Sequence, residues 1–575
     1  MKKASRVLLL CGILASLFLS TAHAAPASVP AEYNYQSIAV DDSFRYAGGY
    51  TIGGSNYFRI RDLAALLDRT SCRFDVTWNR ERQAVELTTG EAYTGESEDY
   101  DAPLTAQAVP SQAGLLIDGA PAAIQAYTIG GNNYYRLRDL GELLGFDVYW
   151  DGESRRTYLY TFTADAAGTL EASGLDRLPT RRAMSAQRST DRWESLSSTF
   201  LYADDGETFS VLTCYSQDLQ KHICVDTYSR DSRALLSSRE VPMELDIFGG
   251  FYAGKTYNYM VFGQNNTEEN DGKEVIRVVK YDKDFRRLDQ LSVTGGESFT
   301  VKPFDAGSLR MDEQGNELVV HTTRERYTTS DGLNHQSQLT LVVDTERMTA
   351  KNHLGEFQAN HVGHSFAQFV RYDGSQHVLL DLGDAYPRSV VLHRGSGSSY
   401  TETELLKIPG DIGANCTGVM IGGLEITGSG CLAAVNSIDH SKVTQYTSYE
   451  MEGLGLDERN VVLLSCSKQG GDVRQSVLTD YIGRGKLGSV PYLVKLSEDR
   501  FLVLWEEFTY TDDGKSSQDD GVRYVEVNGR GEPAGAVQSL PHARLPLSCQ
   551  PVYLDGQVMW FVDTRMGRVV YAVEV

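Results

Sequence analysis

Positive charge is in short supply in this sequence. It carries 54 lysines and arginines against 77 aspartates and glutamates, a formal charge of -23. A surface of that sign repels phosphate backbones, which argues against nucleic acid and leaves neutral or cationic partners. Cysteine is also scarce, eight in 575 residues, too thinly spread for a disulfide scaffold. No Cys-x-x-Cys and no Cys/His zinc spacing occurs, so the reading assigns no metal and no cofactor. A phosphate-cradling glycine loop, a dinucleotide fingerprint and a basic aromatic patch are all missing. Beyond the first residues, no apolar run approaches the ~18 residues of a membrane helix.

The start of the chain differs from the rest. Lys2, Lys3 and Arg6 precede the apolar core "VLLLCGILASLFL", and Ala22-His23-Ala24 is a small-x-small cleavage site. This pattern predicts a signal peptide over 1–24 and a secreted or cell-surface-associated product with no transmembrane segment after cleavage. Cys11 lies inside the apolar core rather than at the cleavage point, so no lipid anchor is expected. Seven cysteines then remain, an odd number: Cys72, Cys214, Cys224, Cys416, Cys431, Cys466 and Cys549. Cys214 with Cys224, across a hairpin turn, and Cys416 with Cys431 are candidate pairs. Buried free thiols are the alternative.

One sentence is written twice. "YTIGGSNYFRIRDLAALL" from Tyr50 and "YTIGGNNYYRLRDLGELL" from Tyr127 agree at thirteen of eighteen positions, so the unit is duplicated. In each copy an acidic turn (Asp41-Asp42, Asp118-Gly119) precedes a strand, a Gly-Gly turn and a second strand. A helix follows, because Ile60, Leu63, Leu66 and Leu67, and Leu137, Leu140, Leu143 and Leu144, form one apolar stripe. Gly145 is a natural stop for the second helix. Phe146, Val148 and Trp150 then alternate as a half-buried strand, and "RRTYLYT" returns. Tyr57, Phe58, Tyr134 and Tyr135 read as sheet packing or, less simply, as stacking surfaces for sugars. The polar stretch 88–114 between the copies reads as an exposed loop.

These residues, with "VDD" and "IDG" and the closing strand, resemble the copper amine oxidase N-terminal-like, or stalk, domain. The resemblance covers 36–162. It implies a small sheet wrapped on a helix, paired repeats forming one module, and a non-catalytic appendage without copper. Amine oxidase activity is not expected, because the Asn-Tyr pairs at Asn34, Asn56, Asn133 and Asn258 are followed by Gln, Phe, Tyr and Met and no His-x-His pair occurs.

After a polar linker over 163–192, residues 193–575 are strand upon strand. Seven pairs of apolar strands occur, "FSVLTCY" with "ICVDTYS" first and "QVMWFVD" with "RVVYAVEV" last. Their centres, Val211, Val261, Val319, Leu379, Ala433, Val503 and Met559, lie 50, 58, 60, 54, 70 and 56 residues apart. Even spacing of this length is a blade period. The fold class read from the sequence is therefore mainly β, a small α+β module of two ββαββ-like repeats followed by a seven-bladed β-propeller. Six or eight blades, or a pair of β-sandwiches, are the alternatives. The last strand is expected to complete a blade begun near 195–203. The general resemblance is to secreted bacterial β-propellers.

Candidate ligand-binding residues cluster in two places. "DLGDAYPRS" crowds Asp384, Tyr386 and Arg388 into a loop after a strand, where propeller ligands bind; an Asp384–Arg388 brace is the plainer reading. His361 and His364 are spaced for one face of a helical turn, with structural roles favoured over metal binding. "GHSFA" (363–367) imitates a hydrolase elbow but precedes strands, not a helix. The acidic run 505–521 lacks the ligand spacing of a calcium loop. The leading functional reading is a non-catalytic, envelope-associated protein whose propeller binds a cell-wall glycan or an extracellular protein or peptide. A polysaccharide hydrolase or lyase using carboxylates such as Asp384 or Glu506, and a protein-interaction platform, are the alternatives.

Overall fold

The computed structural model describes residues 27–95, 102–152, 154–172, 194–203, 206–511, 514, 517–547 and 549–575. The predicted signal peptide and most of the predicted linker lie outside the described residues.

Both repeat helices form where the leucine stripe places them. α1 spans Ile60–Leu67 and α2 spans Leu137–Leu144. Each opens beside an aspartate, where the helix dipole favours negative charge. These aspartates also pair with the arginine before the helix: Arg59 with Asp62 at 2.5 Å, and Arg136 with Asp139. Gly145 ends α2 in the left-handed region at φ +82°, its N–H donating to the Gly141 carbonyl at 2.8 Å. Leu143 and Trp150 are exposed rather than inward; the sixth residue after Leu137 has rotated off the buried stripe. Tyr57, Phe58, Tyr134 and Tyr135 are all buried and serve as core.

The pairing of the copies explains the duplication. Strands Ser55–Arg59 and Asn132–Arg136 lie antiparallel, with Phe58 opposite Tyr135. Tyr135 is the counterpart of Phe58 in the second copy, 77 positions on, as Tyr127 is of Tyr50. Equivalent residues therefore face each other across a pseudo-two-fold axis. The exchange is reciprocal at the margins. Ile38–Val40, ahead of the first copy, runs parallel to Thr157–Leu159, which closes the second. Leu115–Ile117, ahead of the second, runs parallel to Val85–Leu87, which closes the first. One buried core holds α1, α2 and both closing strands. Part of the stretch read as a loop is a strand: Thr105–Pro110 pairs with Val29–Glu32 and with the strand Ala126–Ile129. Backbone hydrogen bonding asks for no apolar side chains, so this strand, paired on both sides, carried no pattern to read.

Strands dominate the rest, and the class is mainly β as read. Among the described residues, seven antiparallel meanders follow one another over 199–241, 247–294, 300–350, 363–407, 419–477, 486–540 and 552–574. Each predicted strand pair forms the second and third strands of one meander. The third and fourth join in one sheet through Ser337 opposite Gly363. A buried apolar core lies between each meander and the next. Another lies between the seventh and the first, where Phe561 and Val570 share a cluster with Leu201, Val211 and Tyr228. At that seam Arg568 is fully buried. It donates to Asp226 at 2.8 Å, Tyr228 at 2.7 Å, Thr213 at 2.9 Å and Asp563 at 3.2 Å.

The fourth strand of the seventh meander is not the expected one. Gly168–Leu170, inside the predicted linker, pairs with Arg568–Val570, whereas Thr199–Ala203 pairs with Phe209–Thr213 in the first meander. A three-residue strand gives no periodicity to detect. The strand also ties the module to the sixth and seventh meanders. Tyr158, Tyr160 and Phe162 are buried with Leu504, Leu545, Trp560 and Tyr571. Tyr160 Oη accepts the Arg565 N–H at 3.0 Å, Asp165 accepts the His542 N–H at 2.7 Å, and the Tyr571 hydroxyl donates to the Phe162 carbonyl.

Candidate functional site

Strand direction decides which loops share a face. In every meander the turn between second and third strands, and the connection to the next meander, fall at the same end, because antiparallel strands reverse at each turn. The module docks at this end over meanders six and seven, at the 565–566 turn and the 541–545 connection. On meanders three to five the same end carries the loops 329–333, 351–362, 385–387, 408–418 and 438–459.

The structure brings together part of the predicted cluster there. Asp384 and Arg388 face each other at the base of the hairpin between strands Gln376–Ala385 and Arg388–Ser396. Tyr386 is at the tip, 68% exposed, at φ +50° and followed by a cis peptide to Pro387. Gly363 is the register partner of Ala385, so the next residue, His364, comes beside Asp384. Its Nδ1 is 3.0 Å from the Asp384 carboxylate, at ion-pair distance but out of line for a well-aimed hydrogen bond. Asp384 is fully buried. The side-chain amide of Asn415, oriented with its nitrogen inward, reaches the other carboxylate oxygen and the Gly413 carbonyl at 2.9 Å each.

Arg388 has a bracing role, but not with Asp384. Its guanidinium donates to the carbonyls of Pro409, Ala414 and Cys416 at 2.8, 2.5 and 2.7 Å and lies over the Tyr446 ring. It stiffens the loop that carries Asn415. His361 and His364 share no helical turn: His361 is in the loop before strand Gly363–Asp373, and His364 is within it at φ +48°. His361 meets the edge of Phe357 at 4.9 Å, and Phe357 in turn lies against Arg326 at 4.5 Å. Burial first, then the nearby charges of Arg326 and Arg324, pull the His361 pKa down to about 4. His364 instead faces His335 across 6.5 Å, and the outer nitrogen of His335 reaches Asp331 at 2.7 Å. Among the described residues no three His, Cys, Asp or Glu side chains are grouped to hold a metal.

The face therefore presents exposed rings, Phe357, Tyr386 and Tyr449, and the half-exposed imidazoles of His335 and His364. Sequence reasoning missed Phe357, Tyr449, His335 and Asn415. Phe357, Tyr449 and Asn415 come from three different loops and His335 from the start of strand Asn334–Asp344, and no local pattern links them. The other nominated groups are elsewhere. Ser365 of "GHSFA" is buried and donates to Asp381 at 2.7 Å, with His321 on the far oxygen of the same carboxylate at 3.0 Å. Serine and imidazole thus share an aspartate instead of touching each other. Glu506 is fully buried and accepts the Leu545 N–H at 2.9 Å, close to the docked module.

No known protein family and no curated protein matches the chain. Similar solved structures include an acylaminoacyl peptidase of Pyrococcus horikoshii, 8% identical with a TM-score of 0.36, over 66% of this chain and 52% of that one. The match thus spans about half the length of that peptidase. The β-propeller domain of the Trilobed protease from Pyrococcus furiosus is 9% identical with a TM-score of 0.34, over 66% of this chain and 92% of that one. Hydrazine synthase of Kuenenia stuttgartiensis is 11% identical with a TM-score of 0.35, over 65% and 95%.

Proposed function

We propose that this is a secreted, envelope-associated binding protein. In this reading residues 1–24 are removed on export. Residues 36–162 are a stalk-type module of two ββαββ repeats, and the seven meanders close into a seven-bladed propeller. The Arg568 seam and the apolar core beside it support closure. The module caps one sector of the loop face and leaves the sector over blades three to five open for a glycan or peptide.

One observation carries the binding reading: Tyr386 stands exposed beside the His364–Asp384 pair, on a hairpin turn next to the 408–418 loop that Arg388 braces. An aromatic face flanked by fixed polar groups suits sugar rings and peptide side chains. A glycoside hydrolase would need two carboxylates facing each other across an open site, about 5–10 Å apart. Asp384 and Glu506 are instead both fully buried, one under Asn415 and the other against the Leu545 backbone.

The test is titration of the mature chain with soluble cell-wall glycans and peptides, with recovery of the ligand afterwards. Saturable binding with intact ligand is expected, and Tyr386→Ala should weaken it about tenfold without moving the melting temperature. Shortened ligand would replace this reading with a hydrolase, and unchanged binding by the Tyr386 variant would move the site elsewhere.

A further inference from the structure

The fifth meander holds two cysteines whose placement neither predicted pairing anticipated. Cys431 and Cys466 are register partners on the adjacent strands Gly430–Ser437 and Asn460–Ser467. Their sulfurs are 3.3 Å apart, and both side chains are buried. The strands close in at this point because Gly430 has no side chain: a Cβ there would lie 1.9 Å from the Cys466 carbonyl oxygen. Directly opposed residues on paired strands hold their Cβ atoms about 4.5–5.5 Å apart, and a disulfide asks for about 3.5–4.5 Å. From 3.3 Å the sulfurs need close by only about 1.3 Å to reach the ~2.05 Å of a disulfide bond.

The other sulfurs lie in different surroundings. Cys214 packs toward the second meander, while Cys224 Sγ lies 3.7 Å from Asp226 at the opposite seam. Cys72 contacts His542, and Cys549 lies in the core between the seventh and first meanders. Cys416 is in the loop braced by Arg388.

We propose that Cys431 and Cys466 become a disulfide in the mature protein. The oxidant is a disulfide of the glutathione class. One cysteine thiolate attacks it to give a mixed disulfide and one glutathione thiolate. The second cysteine thiolate then displaces the other glutathione. Two protein thiols lose two electrons and two protons, one S–S bond forms, and the oxidant leaves as two thiols. Burial of both sulfurs confines the exchange to folding or to transient opening of the meander. The bond would staple, from the far end, the two strands that carry loop 438–459. This is the longest turn between second and third strands among the described meanders, and it brings Tyr446 against Arg388 at the candidate site.

The experiment is peptide mapping of the full mature chain after refolding in a glutathione redox buffer, with alkylation in denaturant and no reductant. The expected result is one linked pair of peptides carrying Cys431 and Cys466, lighter than their sum by two hydrogens, with the other five cysteines alkylated. Reduction should lower the melting temperature of the wild type by about 2 °C or more and leave that of Cys431→Ser unmoved. Alkylation of both residues after oxidation, or a link from either to another cysteine, overturns the proposal. If the serine variant does not fold, the wild-type map decides alone.

Discussion

The N-terminal module and the seven meanders are both built by repetition, yet only the module repeats letter by letter. Its two copies meet about a pseudo-two-fold axis, so each position must satisfy its own counterpart. Phe58 lies opposite Tyr135, and each copy supplies a strand to the other's sheet. Such contacts hold both copies to one set of residues. A meander touches two different neighbours through two different faces. It needs only apolar central strands, and any mixture of Val, Leu, Phe and Tyr that fills the gap serves. A self-contact fixes identities, whereas a chain of neighbour contacts fixes only a pattern.

The largest effect expected lies at the seam between the seventh meander and the first. Arg568→Met leaves Asp226 and Asp563 buried with their shared cation removed, at a cost of about 3–5 kcal/mol, measurable by urea unfolding. The equivalent break between module and meanders is Phe162→Ala, expected to cost about 3–4 kcal/mol and to expose the 163–172 segment to limited proteolysis. If proteolysis stays unchanged, the module is held by its other contacts.

Acid should tell the two regions apart. Residues 27–172 contain no histidine, whereas His361 and His440 in the meanders are both held to about 4 in the fold, against 6.5 ordinarily. Burial leads in each case, followed by arginine charges. Below pH 6.5 the unfolded chain takes up protons that the folded one refuses. Stability therefore falls as pH drops from 6.5 to 4, by at most about 3 kcal/mol for each ring. His361→Asn should flatten that slope in a pH series of melts, and no module substitution should.

The smallest effect separates the two copies themselves. Gly145→Ala forces a side chain into the left-handed region and should cost about 1 kcal/mol by thermal melting. Asp68→Gly in the first copy should bring no gain of that kind, because the chain leaves α1 through Asp68 in the right-handed region.

Legibility followed burial. The second and third strands of every meander are covered on both faces and stand out as apolar runs. The outer strands show far less: Leu235–Val241 is mostly exposed and Gln538–Leu540 is three residues long. The inner ones are interrupted by glycines, as in "IFGGFYA". At Gly249 a Cβ would lie 2.9 Å from Phe304, so close packing there works against a readable pattern. The hairpin carrying Asp384 and Tyr386 was visible because a strand ended in a Pro-containing turn. Its approach to Asn415 and, through His364, to His335 was not, since register across meanders leaves no local trace. The register match of Cys431 with Cys466 was hidden because the long turn 438–459 separates their two strands.

The strand Gly168–Leu170 sets an order of events. It is synthesised before any meander, yet its partner, Arg568–Val570, follows some 400 residues later. Closing a loop of that length costs only slowly more than closing a short one, because the entropy grows with the logarithm of length, but the search for so distant a contact is slow. The seventh meander is therefore expected to be the last to settle. Until it does, Phe561 and Trp560 lack part of their cover. Folding of this chain should show a late phase whose rate depends on residues near 168–170 and 568–570, and whose intermediate is the species most prone to aggregate.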